Sequence, residues 1–192
     1  MIIQMVELSD AELVRAALAD AAAYGRLINR HEAKLRRYVR RILAGQASAS
    51  DDVLQDVFIK AYVNLNDFDQ ARAFAPWLYR IAHNEAISHL RKSSAGIQFV
   101  SGEDAQFFLE QIADPEDPAS LFWKNRSYDQ LQKSLGELDA KYRDVLVLRY
   151  LEGQSYDEIS EILRLPSGTV ATLLKRGLAR LRDIFETTGG AP

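Results

Sequence analysis

Basic and hydroxyl side chains cluster around a predicted turn near the end of this 192-residue chain. Ser155-Tyr-Asp-Glu158 is a capping box, which predicts that a short helix begins there. Ser167 is placed to cap a second, longer helix. Five basic residues and no acid lie between Arg164 and Arg182. A short helix, a tight turn and a basic helix predict a helix-turn-helix, a motif whose second helix fits the major groove of DNA.

The charge distribution favours local binding of phosphate groups, although the net charge of the chain is −3. Between Arg26 and Arg41 there are seven basic residues and one acid, Glu32. Acidic residues concentrate instead between positions 103 and 117, where six of them occur without a basic residue. Such separation allows an acidic protein to carry basic surfaces, although a charge run alone is more often a solvated helix face.

No residue pattern predicts a catalytic or metal site. The chain has no cysteine, which excludes disulfides and thiolate ligands. His83 and His89 are six residues apart, which is neither the i+3 nor the i+4 spacing of two metal ligands on a helix. Glycine-rich phosphate loops and nucleophile elbows do not occur. We therefore expect no cofactor and no enzymatic activity.

The sequence also predicts a cytoplasmic protein. Its first seven residues lack a basic segment followed by an apolar one, so we expect no signal peptide. No apolar run approaches the ~18 residues of a membrane span, so we expect no membrane insertion.

Two helical blocks flank a segment that is rich in serine, glycine, proline and acids. Residues 93–120 show weak periodicity, which predicts a linker. No stretch has the alternating pattern of a strand. The predicted fold is therefore all-α, with a first helical domain over 1–95, an acidic linker over 96–119 and a second helical domain over 120–192.

Capping residues and apolar spacing predict four helices in the first domain. Ser9 begins the first helix, and Ser50 caps the third. The second helix starts near Ala21, and its buried stripe consists of Leu27, Leu35, Tyr38 and Ile42. The core face of the third helix consists of Val53, Leu54, Val57, Phe58, Ala61 and Tyr62, opposite Asp52, Gln55, Asp56 and Lys60. Pro76 marks the first turn of the fourth helix, which extends to Lys92 and buries Phe74 and Trp77.

Similar signals predict helices in the second domain. One helix lies within Ser120–Leu135, and another is capped by Asp139 and ended by Gly153. The two helices of the helix-turn-helix follow. Apolar residues recur at every fourth position of the last helix and should pack against its neighbours; they are Val170, Leu174 and Leu178.

Segments in both blocks resemble bacterial extracytoplasmic-function (group 4) sigma factors. Asp51-Asp-Val-Leu-Gln-Asp-Val-Phe-Ile-Lys-Ala-Tyr62 and Phe74-Ala-Pro-Trp-Leu-Tyr-Arg-Ile-Ala-His-Asn84 are similar to region 2 of that family. The stretch from Leu138 to Arg182 is similar to its region 4. The two regions occur in the family's order and with its linker length, which is more specific than a helix-turn-helix alone.

The resemblance implies a dissociable RNA polymerase subunit that directs promoter recognition. Its expected partners are promoter DNA, an anti-sigma factor, and core RNA polymerase through the flap and the clamp helices of the largest subunit. Asp52, Gln55 and Asp56 occupy the positions that contact the clamp helices. Short acidic and amide groups suit pairing with arginines on a partner helix. The acidic linker is expected to lie in the positive cleft of the polymerase.

The resemblance also implies DNA contacts in both domains. Holding the melted −10 element requires aromatic surfaces and polar groups that replace stacking and pairing. The residues expected there are Asn66, Asp67, Phe68, Asp69, Arg80, Asn84, Arg91 and Lys92. Those expected at the −35 element are Arg164, Ser167, Thr169, Ala171, Thr172, Lys175, Arg176 and Arg180.

Five positions depart from the family pattern, and two of them, Ala75 and Pro76, replace a more polar pair in region 2. Ala171 and Leu173 replace two basic side chains, and each bidentate contact of such a side chain to guanine discriminates by ~1–3 kcal/mol. Arg164 stands where glycine is usual, and a left-handed backbone there costs ~1–2 kcal/mol. Two alternatives stay open. One is a sigma-like decoy that binds an anti-sigma protein without recognising promoters, and the other is an enzyme.

Overall fold

The structure, a computed structural model, describes residues 8–43, 47–93, 102–112 and 128–188. These residues form nine α-helices and no strand, which confirms the all-α prediction. In chain order the helices are α1 (Asp10–Ala17), α2 (Ala21–Leu43), α3 (Ala47–Val63), α4 (Phe74–Ser93), α5 (Gly102–Ile112), α6 (Tyr128–Glu137), α7 (Ala140–Leu146), α8 (Tyr156–Leu163) and α9 (Ser167–Thr188). Within these ranges no helix combines the length and the apolar character that a membrane crossing requires.

The first domain is built around α2, which packs against α1, α3 and α4. The predicted capping box begins α1: the Ser9 hydroxyl accepts a hydrogen bond from the Glu12 amide, and the Glu12 carboxylate accepts one from the Ser9 amide. The predicted stripe of α2 is buried, which confirms its helical spacing; it consists of Leu27, Leu35, Tyr38 and Ile42.

Two predictions for α3 are wrong. The helix begins at Ala47, so Ser50 is buried inside it and does not cap it. Alanine and serine before Ser50 tolerate helical backbone well, and the helix therefore extends toward the N-terminus. Tyr62, predicted in the core, is 50% exposed. It lies at the end of α3, where it packs edge-on against the Tyr24 ring in the first turn of α2, at 4.9 Å between centroids.

An aromatic cluster fixes the loop before α4. Pro76 lies in the first turn of α4, as predicted. The buried rings of Phe68, Phe74 and Trp77 pack together with centroid separations of 5.1 to 5.5 Å. Because Phe68 lies in the loop, the cluster holds this loop against the helix.

Part of the predicted linker is a helix, so that prediction is wrong for residues 102–112. α5 packs against α6 and against the segment that follows α7. Its buried side chains are Phe108, Leu109 and Ile112, and the Phe108 ring lies 5.6 Å from that of Tyr150. Burial of apolar residues at helical spacing outweighs the acidic composition of the segment. α5 therefore belongs to the second domain.

The second domain continues with α6 and α7. α6 covers the end of the helix predicted within Ser120–Leu135, and the residues before Tyr128 lie outside the described ranges. Asp139 precedes α7 as predicted, but its side chain makes no capping hydrogen bond. α7 continues into one π-helical turn, Val147–Leu151, and the chain leaves the helix before Gly153, as predicted. The φ angle of Gly153 is +68°, a conformation that favours glycine.

α8, a tight turn and α9 form the predicted helix-turn-helix. Ser155 caps α8 through both hydrogen bonds of a capping box. The prediction that Ser167 caps α9 is wrong. The Pro166 carbonyl accepts the first helical hydrogen bond, from the Thr169 amide at 2.8 Å, and the Ser167 hydroxyl donates to Asp157 at 3.1 Å. The predicted apolar face of α9 packs inward through Val170, Leu174 and the half-buried Leu178.

Arg164 ends α8 in the left-handed conformation, with φ of 54° and ψ of 46°. The amides of Arg164 and Leu165 both donate to the Ser160 carbonyl, and the Ser160 hydroxyl donates back to the Leu165 carbonyl at 2.5 Å. These bonds hold the turn in a conformation that an L-residue with a Cβ adopts at a cost of ~1–2 kcal/mol.

The two domains pack against each other through α4 and α8 and through a buried carboxylate. The Glu152 side chain is 3% exposed, and both of its oxygens are bound by the first domain. The Arg41 guanidinium pairs with one oxygen, and the Tyr79 hydroxyl donates to the other at 2.8 Å. Burial raises the pKa of Glu152, and the Arg41 charge opposes that shift. We call these three residues the Glu152 contact.

A second polar contact crosses the same interface. His83 Nδ1 lies 3.0 Å from the Tyr38 hydroxyl of the first domain, and His83 Nε2 lies 3.8 Å from Asp144 Oδ2 of the second. Burial lowers the pKa of His83 to about 4 and raises the pKa of Asp144 to about 6. His83 is therefore uncharged at neutral pH, and its approach to Asp144 is not an ion pair.

Phe108→Ala should destabilise the second domain. Removing a buried ring leaves a cavity, so we expect the free energy of unfolding to fall by about 3 to 5 kcal/mol in urea denaturation of the full chain. Phe107 is the matched control because its ring is 44% exposed. Its replacement by alanine should cost about 1 kcal/mol or less. Equal losses in the two variants would contradict the packing of α5.

Arg164→Gly should stabilise the helix-turn-helix. Glycine adopts a positive φ without a steric penalty, so we expect the free energy of unfolding to rise by about 1 kcal/mol. Arg164→Ala is the control, because it removes the same charge but keeps the Cβ, and it should give no such gain. An equal gain in both variants, measured by urea denaturation, would assign the effect to the charge and not to the backbone.

His83 and Asp144 should give opposite pH dependences of stability. His83 has a pKa of 6.5 unfolded and about 4 folded, so its contribution is complete above pH 6.5 and is lost as the pH falls toward 4. Asp144 has a pKa of 3.8 unfolded and about 6 folded, so its contribution is complete below pH 3.8 and is lost as the pH rises to 6. The two trends oppose each other in the parent protein.

Replacing either residue should expose the pH dependence of stability that the other one causes. Between pH 6 and pH 4, we expect the unfolding free energy of Asp144→Asn to fall on acidification and that of His83→Gln to rise. Urea denaturation at several pH values measures both profiles. Parallel profiles for the two variants would contradict the assigned pKa shifts.

Candidate DNA and partner interfaces

α9 brings the predicted −35 residues to one exposed surface. Seven of the eight lie on α9 and Arg164 lies in the turn before it, and all eight are exposed. The cations Lys175, Arg176 and Arg180 suit phosphate contacts, and small polar groups nearer the start of the helix suit base edges. Leu173 is half-buried against the core, so its apolar side chain has a packing role there.

Six of the eight predicted −10 residues are exposed, in the loop before α4 and along α4, whereas Arg80 is half-buried and Phe68 is buried. Asn66, Asp67 and Asp69 are exposed in the loop before α4. The Asp69 carboxylate accepts a hydrogen bond from the Ala71 amide at 3.0 Å and lies 3.3 Å from Arg72. The exposed residues along α4 are Asn84, Arg91 and Lys92.

Phe68 departs from its expected role. Its ring is buried in the cluster with Phe74 and Trp77, where edge-on and tilted contacts cover its faces. In this structure Phe68 supports the loop and does not offer a ring face to an unstacked base. Its place in a loop suggested a base contact, but loop position alone does not show which rings are covered by other side chains.

Arg80 lies in a cleft between the two domains. The cleft has a volume of about 480 Å³ and is lined by Arg72 and Arg80 of the first domain and by Asp157, Ser160, Glu161 and Arg164 of the second. Burial lowers the pKa of Arg80, and the nearby charge of Arg164 lowers it further. The cleft therefore brings together one residue expected at the −10 element and one expected at the −35 element.

The exposed face of α3 combines acidic, amide and apolar groups. Asp52, Gln55 and Asp56 are exposed, as predicted. Beside them, an apolar cleft of about 570 Å³ lies between α2 and α3, and its apolar lining consists of Ala21, Tyr24, Leu54, Phe58, Ile59 and Tyr62. Arg36 pairs with Glu32 and Asp51 at the edge of the cleft. This surface can bind a helix that presents both cations and apolar side chains.

The apolar residues of this face were missed by the sequence analysis. Ile59 and Val63 are 53% and 68% exposed, and they continue the helical row that begins with Asp52 and Asp56. The signal was present, because large apolar residues occurred at positions of the polar face. Exposed apolar groups next to charges are typical of interaction surfaces.

The surfaces of α9, of α4 with its preceding loop, and of α3 carry side chains that can bind a partner through charge, hydrogen bonds or apolar contact. Across the four described stretches of the chain, no three or more His, Cys, Asp or Glu side chains are grouped so that they could hold a metal ion.

Two family models match this chain. Residues 27–95 match Sigma-70 region 2, and residues 128–181 match Sigma-70, region 4. The chain is 35% identical over 167 residues to the ECF RNA polymerase sigma factor SigW of Bacillus subtilis (strain 168), a match that covers 85% of this chain and 89% of that protein. It is 32% identical over 178 residues to the ECF RNA polymerase sigma-E factor of Escherichia coli (strain K12), with coverage of 88% and 91%.

Solved structures share the fold. CnrH, solved in complex with the cytosolic domain of CnrY, superposes with a TM-score of 0.67 and 27% identity over 93% of this chain and 97% of that chain. The sigma factor RpoE from Bartonella quintana, solved with the anti-sigma factor NepR, gives a TM-score of 0.59 and 22% identity over 85% and 96%. With both sigma regions present in order on two helical domains, the chain belongs to the extracytoplasmic-function (ECF) family of RNA polymerase sigma factors.

Proposed function

We propose that this protein binds core RNA polymerase and directs it to promoters by contacting a −10 element with the first domain and a −35 element with the second. The observation that carries the proposal is the presence of two sigma regions whose predicted contact residues, Phe68 excepted, reach the protein surface. The chain takes no part in bond making, which belongs to the polymerase.

The α3 face is the proposed polymerase contact. Asp52 and Asp56 lie one turn apart on a rigid helix, with Gln55 beside them, so their side chains can bind arginines of a facing helix. Ile59 and Val63 extend this row with apolar groups. Burial of apolar area strengthens the contact, while the acids fix its orientation.

The α9 surface is the proposed −35 contact. Lys175, Arg176 and Arg180 bind backbone phosphates and position the helix, and Thr169 and Thr172 contact bases. Ala171 offers only a methyl group, which suits the methyl of thymine better than the edge of guanine. The exposed loop residues of the first domain and those along α4 are the proposed −10 contact: Asn66, Asp67, Asp69, Asn84, Arg91 and Lys92.

Regulation by an anti-sigma protein is part of the proposal. The apolar cleft between α2 and α3 and the charged face beside it suit a partner that competes with the polymerase for the same residues. The family fold has been solved together with such a factor in the Bartonella protein. The proposed division is a first domain over 1–95 and a second over 120–192, and α5 of the intervening segment packs against the second domain.

One alternative function has a specific observation in its favour. A sigma-like decoy binds an anti-sigma protein but does not recognise promoters. Ala171 and Leu173 support it, because they remove two basic side chains from the helix that contacts the −35 element.

Transcription with core polymerase tests the proposal. The full chain, added to core polymerase and sheared genomic DNA of its own cell, should yield promoter-specific transcripts that core alone does not make. Asp52→Ala/Asp56→Ala should weaken binding to core polymerase about tenfold, which corresponds to about 1.4 kcal/mol, since two charge-assisted contacts are lost. Fluorescence anisotropy of the labelled protein measures this affinity.

The control variant is Asp139→Ala/Asp183→Ala, which removes two exposed aspartates from the second domain and should leave the affinity unchanged. Binding to core polymerase without any specific transcript would exclude the initiation factor and favour the decoy. Equal affinities of the two double variants would refute the α3 contact.

A further inference from the structure

Residues expected at two distant DNA elements line a single cleft in this structure. Arg80 of α4 and Arg164 of the helix-turn-helix border the same space of about 480 Å³, and Arg72 lies 3.6 Å from Glu161 across it. By their names, the −10 and −35 elements lie about 25 base pairs apart, which is roughly 85 Å at 3.4 Å per base pair. The domain arrangement described here is therefore incompatible with simultaneous contact to both elements.

The Glu152 contact is a buried, charge-assisted attachment between the domains. The Glu152 carboxylate comes from the second domain, and both of its ligands, Arg41 and Tyr79, come from the first. Arg41 is 7% exposed and also donates to the Leu151 carbonyl at 3.3 Å, so it makes two bonds across the interface. Removing one member of a buried charged pair is strongly destabilising, because the other charge stays buried without compensation.

Separation of the domains relieves this penalty. When the interface opens, Arg41 and Glu152 both become hydrated, so a variant that breaks the pair favours the open arrangement over the closed one. The fold of each domain does not depend on the pair in the same way, since α2 packs against α1, α3 and α4 within the first domain, and α9 packs against α6, α7 and α8 within the second.

We propose that the Glu152 contact is an autoinhibitory lock that keeps the uncomplexed protein closed and must break before the two domains can occupy a promoter. The consequence for promoters rests on the proposed function, whereas the closure itself does not. The expected polymerase contacts are the clamp helices for α3, which is exposed in the closed arrangement, and the flap as a second contact point. Binding at both points requires separated domains, so the lock reduces the apparent affinity for core polymerase in proportion to the fraction of open molecules.

Distance measurement on the full chain tests the lock. Ala33→Cys on α2 and Ala179→Cys on α9 are exposed positions in the two domains, and the parent chain has no cysteine, so spin labels attach only there. Pulsed electron spin resonance should show one short-distance population in the parent. Glu152→Gln and Glu152→Arg should add a longer-distance population, and the arginine variant should show the larger effect because it places two cations together.

The matched controls are Asp183→Asn and Asp183→Arg, which make the same charge changes at an exposed position of α9 away from the interface. Their distances should equal those of the parent. Circular dichroism checks that each variant is folded. If Glu152→Arg is unfolded, the distances in Glu152→Gln, which preserves the shape of the side chain, decide whether the lock exists.

Affinity for core polymerase is the second measurement. The open fraction in Glu152→Gln should rise at least tenfold, and the apparent dissociation constant should fall by the same factor. Parent-like distances in folded Glu152 variants would overturn the lock. Longer distances without tighter binding would overturn its autoinhibitory role. If neither parent nor variants bind core polymerase, the proposed function fails, and the distances still decide whether the lock exists.

Discussion

A carboxylate buried between two domains is the constraint on which the arrangement of this protein depends. An unpaired charge at the position of Glu152 would cost several kcal/mol, so the closed structure requires a cation and a hydrogen-bond donor on the facing surface. Arg41 on α2 and Tyr79 on α4 supply them from two helices of the first-domain core. The same contact sets α4 beside α8 and thereby brings the DNA-binding motif against the first domain.

The interaction surfaces differ in chemistry, which explains how a chain of net charge −3 can serve nucleic acid and protein partners. α9 carries cations with few neighbouring acids, and the potential near it is therefore positive whatever the charge of the whole chain. α3 carries exposed acids beside exposed apolar groups, a combination that excludes DNA and favours a basic amphipathic partner. Each surface is rigid because its helix is anchored by an apolar face on the opposite side.

Features that depend on neighbouring residues could be predicted from the sequence, and those that depend on distant ones could not. The capping boxes at Ser9 and Ser155 involve residues three apart, and both were correct. The caps predicted at Ser50 and Ser167 were wrong because a single hydroxyl near a helix start does not show which residue begins the helix. The helix α5 was not predicted because the acidic composition of its segment is typical of a linker. The pair of Arg41 and Glu152 joins residues 111 apart in sequence, and no local sequence pattern predicts it.

The docking of α5 sets the length of the tether between the two halves of the protein. α4 ends at Ser93 and α5 begins at Gly102, so only eight residues connect them, and a fully extended chain of that length spans about 30 Å. If α5 leaves the second domain and unfolds, the connection runs from Ser93 to Tyr128, and its greatest span becomes roughly 120 Å. The packing of Phe108 against Tyr150 therefore shortens the available tether by about three quarters, and the strength of that packing limits how far apart the two domains can travel on DNA.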